Sequence, residues 1–122
     1  MFEVRVDPAK NMLRIAFAGR VSAGEAKSAT EQLKDLISTV PEGFRLLTDL
    51  SGLESMELKS APFVEQTMKL CAQRGVSRIV RVIPDPQADI GLNIMSAFHY
   101  PRRTPITICQ TLAEAMAVLE NS

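Results

Sequence analysis

Apolar and polar residues alternate at the start of the chain. Phe2, Val4 and Val6 interleave with Glu3, Arg5 and Asp7, the period of a strand buried on one face. Residues 8–11 carry turn chemistry, and residues 12–18 read as the returning strand of a hairpin. Ser22 followed by Glu25 forms a capping box at a helix start. Ala26, Ala29, Leu33, Leu36, Ile37 and Val40 then make one stripe at helical spacing. Pro41 and Gly43 end that helix. Residues 44–50 do not alternate, which suits a strand buried on both faces. Asp49 stands at its end, and Ser51 with Gly52 is expected to break it.

A second helix is expected from Ser60 as N-cap to about Arg74, with Pro62 in its first turn and Gly75 as its stop. Leu58, Ala61, Val64, Met68 and Cys71 form its apolar stripe. Residues 76–83 make another buried strand. Asp85 and Pro86 open a third helix reaching about Phe98. Residues 106–109 form a short strand. Thr111 and Glu114 make a second capping box, with Leu112, Ala115, Met116 and Leu119 lining a fourth helix. Strands that alternate with helices imply parallel pairing through right-handed crossovers. The expected fold class is therefore α/β, a mixed and mostly parallel sheet of about five strands with about four flanking helices. The hairpin adds one antiparallel strand. At 122 residues the chain reads as one domain, 1–122.

Composition narrows the function. Fourteen basic residues balance fourteen acidic ones, so nucleic-acid binding lacks its main driving force. No apolar run approaches the ~20 residues that span a bilayer, and the alternating start does not resemble a signal peptide. The expectation is a soluble, cytoplasmic protein. One histidine and two distant cysteines leave no metal-ligand spacing and no disulfide framework. No glycine-rich phosphate loop follows a strand, so no cofactor is implied.

The segment RLLTDLSGLESMELKSA, residues 45–61, resembles the central stretch of STAS domains, the family of bacterial anti-sigma-factor antagonists. Asp49-Leu50-Ser51-Gly52 matches where a buried strand of that family ends. RIAFAGRVSAGEA upstream and TICQTLAEAMAVL downstream also look like family elements. The extended first strand and LLTDLSGLE look closest to the SpoIIAA-like, SEC14-related branch. The resemblance implies a single STAS-like domain that binds an anti-sigma factor or a related signalling protein. Its switch region would comprise Asp49, Ser51, Gly52, Glu57, Leu58 and Ser60. Without gaps, the family's phospho-acceptor serine falls on Leu58 and its preceding aspartate on Glu57. A two-residue gap makes Ser60 the candidate acceptor. Ser60 has a simpler reading as a helix N-cap, so the usual phosphoserine switch is expected to be absent.

Other candidates have bland readings. His99 lies in FHYPRR with no nucleophile motif around it, and a helix-terminal histidine favoured by the dipole suffices. Cys71 and Cys109 fall on core positions. Arg102 and Arg103 form a small basic spot. Asp49 is the best carboxylate, since ligand sites of open α/β sheets gather at strand ends. It also suits a turn that needs its backbone donors satisfied.

Two helices carry surplus apolar residues. Met56, Phe63 and Leu70 lie off the main stripe of the second helix. Ile90 and Ile94 lie off that of the third. Such a surface means helix packing, a partner or homodimer interface, or a groove for a small apolar or lipid-like ligand. The expected function is a bacterial, non-enzymatic protein–protein interaction module presenting residues 51–63. The alternative is a binder of a small apolar or lipid-like ligand of the SEC14-related type.

Overall fold

The computed structural model describes residues 1–85 and 99–121. β1 (Phe2–Asp7) and β2 (Met12–Val21) form the expected hairpin. A short 3-10 turn, Pro8–Lys10, joins them and closes on Asn11 in the left-handed region. α1 (Ala23–Ile37) starts at the Ser22–Glu25 capping box, with both reciprocal bonds present. β3 (Arg45–Met56), α2 (Ala61–Arg74), β4 (Arg78–Val82), β5 (Ile106–Cys109) and α3 (Leu112–Glu120) follow. The third helix expected from Pro86 to about Phe98 lies outside the described residues, as do Ile90 and Ile94. Three α-helices stand among those described.

The sheet order is β1-β2-β3-β4-β5. β1 pairs antiparallel with β2, and the other pairs are parallel. Parallel strands that follow one another in one direction, each joined by a right-handed crossover, put those crossovers on one face. α1 and α2 accordingly pack together, and share a core with Leu13, Ile15, Leu46 and Ile79. α3 covers the opposite face, over Met12, Leu47, Val80, Val82 and Cys109. The expected α1 stripe is realised at Ala26, Ala29 and Leu33, which are buried, with Leu36 and Ile37 half-buried; the helix ends at Ile37, short of the expected stop, and Val40 is buried beyond it. Gly75 ends α2 at φ +88°, donating to Ala72, while Val76 bonds back to Cys71. This is the left-handed helix stop that glycine alone adopts without penalty.

Four local expectations are corrected. β3 does not end at Ser51-Gly52. β2 runs on to Val21 and supplies a pairing edge, so β3 continues to Met56 through two register shifts. Gly52 makes this passage possible because a Cβ there would meet Ala18 Cβ at 3.2 Å. Ser60 does not cap α2. Its backbone is already helical, its N–H goes to Glu57 O, and its side chain makes no capping bond. The 3-10 turn Leu58–Ser60 winds straight into the helix and turns that hydroxyl inward. Leu58 and Ala61 are exposed rather than on the core stripe of α2, which is carried by Val64, Met68 and Cys71. The second capping box is half made: Thr111 accepts from Glu114 N–H, but the Glu114 carboxylate takes the Gln110 N–H instead.

Candidate functional site

The end of β3, the turn after it and the start of α2 divide the expected site residues among three environments. Asp49, Ser51 and Gly52 form the first. Asp49 sits across from Ala16 and Val82 in the sheet, on the α3 side. It is 7% exposed. One carboxylate oxygen accepts from Ser51 N–H at 3.0 Å and Ser51 Oγ–H at 2.6 Å. The other accepts from Arg14 Nη2 at 3.0 Å. Arg14 also reaches Glu3, at 3.4 Å. Asp49 thus ties the extended part of β3 to β2. Its acceptor capacity goes into backbone and side-chain bonds, so it shapes the segment.

The second environment is the turn between β3 and α2. Glu57 N–H is held by Val21 O, which anchors the turn to the end of β2. Leu58 then stands 94% exposed. Met1 and Leu58 are the large hydrophobic side chains that the described residues leave exposed. Glu57, Lys59, Ala61 and Pro62 around Leu58 are exposed as well. Ser60, two residues on, is 0% exposed and packs toward α1. Its Oγ finds no hydrogen-bond partner among the described residues.

The third environment is a cavity of about 240 Å³ between the sheet and the α1–α2 pair. The extended β3 places Leu53 and Met56 in its wall, and α2 adds Phe63. Phe63 is half-buried there rather than facing solvent. Leu70, expected on the same surface, packs onto the core. The polar part of the wall includes Thr30, Thr48, Thr67, Tyr100 and Arg81. Thr30 is already committed, since its hydroxyl proton lies between Ala26 O of its own helix and Phe63 O of α2. Burial pushes the Tyr100 phenol up, with the Cys71 sulfur adding to the rise and the Arg81 charge opposing it.

Sequence reasoning missed Arg81 and Tyr100. The signal for Arg81 is one arginine inside the apolar run IVRVI. For Tyr100 no pattern distinguished it from a helix-end residue.

The other chemistry candidates are placed apart from this region or tied up. His99 Nε2 lies 2.9 Å from Glu65 Oε1 of α2, a surface-side pair. Cys71 is buried, and burial alone pushes its thiol up to about 12. Cys109 is raised by burial, with Glu114 adding to it. Neither is an activated thiolate. Arg102 and Arg103 are exposed. No cluster of three or more histidine, cysteine or acidic groups able to hold a metal occurs among the described residues. No helix among them is long and apolar enough to cross a membrane.

No family model and no curated protein matches the chain in sequence. Solved structures do match in fold. The anti-sigma factor antagonist SpoIIAA in its unphosphorylated form is similar at a TM-score of 0.69 with 15% identity, over 100% of both chains. An uncharacterized protein with a SpoIIAA-like fold from Shewanella loihica is similar at 0.69 with 12% identity, over 98% of this chain and 92% of that one. An anti-sigma factor antagonist from Mycobacterium paratuberculosis is similar at 0.59 with 16% identity, over 98% and 93%. The chain has the SpoIIAA-like, STAS-type fold that its residues 45–61 resemble.

Proposed function

We propose that this chain is a bacterial, cytoplasmic, non-enzymatic regulatory module that docks a signalling protein through residues 51–63, with Leu58 as the anchor. An anti-sigma factor is the expected partner class, because two of the structural neighbours are anti-sigma factor antagonists. The observation that carries the reading is Leu58 itself. A large apolar side chain stands 94% exposed on a turn tied to the sheet at Glu57 and to α1 through Ser60. It occupies the position where the ungapped family resemblance puts the phosphate acceptor, which a two-residue gap would move to Ser60. Leucine accepts no phosphate, and the nearby Ser60 is enclosed. The module therefore works without a phosphoserine switch.

Burying a leucine side chain on docking contributes about 1.5–3 kcal/mol, so losing it weakens a complex by about tenfold or more. The test titrates anti-sigma factors encoded by the same genome against the chain and against Leu58→Glu, by calorimetry. The expected result is one binder whose affinity falls about tenfold or more in the variant while the melting temperature holds. A panel without any binder overturns the proposal, and so does a binder indifferent to Leu58.

A second reading is favoured by the cavity. Its volume of about 240 Å³ and its wall of Leu50, Leu53, Met56 and Phe63 suit a small apolar ligand.

A further inference from the structure

The cavity wall is apolar over most of its extent, yet it contains a formal charge. Arg81 is the one charged side chain among the described lining residues, and it is 3% exposed. Thr48 is its register partner on β3. Tyr100, 7% exposed, lines the same cavity. Polar groups from two strands and from the segment before Pro101 thus share one cavity wall.

A guanidinium out of water is costly to keep, and aliphatic replacements of buried ionic groups are often neutral or stabilising. Packing alone therefore does not account for arginine between Val80 and Val82. Arg81 has partners within the fold. Its planar fork nonetheless carries five donors, and such a fork takes a carboxylate through two parallel bonds. The Tyr100 phenol in the same wall adds a donor. Size follows from volume. An apolar cavity of 150 Å³ takes benzene, so about 240 Å³ takes roughly ten non-hydrogen atoms.

We propose that this cavity binds a small apolar carboxylate of about ten non-hydrogen atoms. Its carboxylate sits on the Arg81 guanidinium, and its hydrocarbon part lies against Leu53, Met56 and Phe63. This rests on the ligand-binding reading above and adds the charge and size of the ligand.

Calorimetry of the full chain with octanoate, octan-1-ol and octylamine at neutral pH separates the possibilities. Octanoate is expected to bind about tenfold or more tighter than octan-1-ol, because a charge-assisted bidentate bond is lost in the alcohol. Octylamine is expected not to bind. Arg81→Gln should erase the preference for octanoate and leave octan-1-ol binding in place. Should that variant fail to fold, the head-group comparison on the unaltered chain decides by itself. Octan-1-ol binding as well as octanoate overturns the carboxylate assignment and leaves the ligand-binding reading standing. A folded Arg81→Gln that keeps the preference overturns the role of Arg81. Hexadecanoate binding more tightly than octanoate overturns the size. Absence of binding by all these probes overturns the ligand-binding reading itself.

Discussion

Replacing Ser60 by alanine gives a prediction whose sign discriminates between two roles. Serine ahead of a helix normally accepts a backbone N–H, and its loss costs about 1 kcal/mol. Ser60 makes no such bond, its backbone is helical, and its Oγ is enclosed without a partner among the described residues. A buried hydroxyl left unsatisfied costs about 1–3 kcal/mol. Removing it relieves that cost, against the loss of packing around one atom. The net expectation for Ser60→Ala is a gain of about 1 kcal/mol, at the lower end of that range. For a chain of 122 residues this is a rise of about 4 °C in melting temperature. In urea the midpoint moves up by about 0.5 M for a slope near 2 kcal/mol/M. Ser60→Asp is the companion variant. It places an unpaired carboxylate in an enclosed site and should cost several kcal/mol, about 3 or more. An exposed acceptor site would tolerate the same change within about 0.5 kcal/mol. Thermal and urea unfolding of both variants supply the measurement. A fall of about 4 °C in Ser60→Ala would refute the reasoning and restore Ser60 as a cap. A stable Ser60→Asp would reopen it as a phosphate site.

Asp49→Ala should destabilise the chain by about 3 kcal/mol, because it strips Arg14 and the Ser51 N–H of a largely buried acceptor; a urea midpoint within error of the parent would show that the ion pair and turn bonds contribute nothing. Cys71 and Cys109 are both buried and both raised by that burial, so a thiol-reactive dye at pH 8 should label neither in the folded chain and both in denaturant. Rapid labelling of Cys71 under native conditions would contradict its place under α2. The Met1 amino group and then the Ser22 N–H hold the Glu25 carboxyl below its ordinary 4.5. Its contribution is therefore complete above that ordinary value and is lost as pH falls through the lowered folded-state value. An NMR titration of Glu25 should find its midpoint below 4.5, and a midpoint at or above it would show that neither the Met1 amino group nor the Ser22 N–H holds the carboxylate in solution.

Much of the architecture was legible because local chemistry and tertiary demand agree. The alternation of Phe2, Val4 and Val6 marks a strand with one buried face. The Ser22–Glu25 pair marks the start of α1, and Gly75 marks the end of α2. Legibility failed where a neighbouring element overrode local preference. Ser51 and Gly52 are poor strand residues, yet β2 offers them a parallel partner as far as Val21. Gly52 permits the close approach to Ala18. That extension is what carries Leu53 and Met56 over the cavity and delivers Leu58 to the surface. Helical spacing was likewise a poor guide at Leu58 and Ser60. Ideal α periodicity assumes a helix from the first residue, whereas the 3-10 turn there advances three residues per turn. The tighter winding turns leucine outward and serine inward, the reverse of what their polarity suggests. Both inversions lie within the same few residues, between β3 and α2. A fold built for stability alone would place these two residues the other way round. Arg81 breaks the apolar pattern of β4 in the same sense, with a buried guanidinium in a wall that aliphatic residues would fill at lower cost. Departures from local consistency concentrate where binding, more than packing, sets the residue. Here they fall on the exposed turn and on the cavity wall, with Met56 and Phe63 standing between the two. Met56 and Phe63 line the cavity on either side of Leu58 in sequence, so the two candidate surfaces adjoin along the chain.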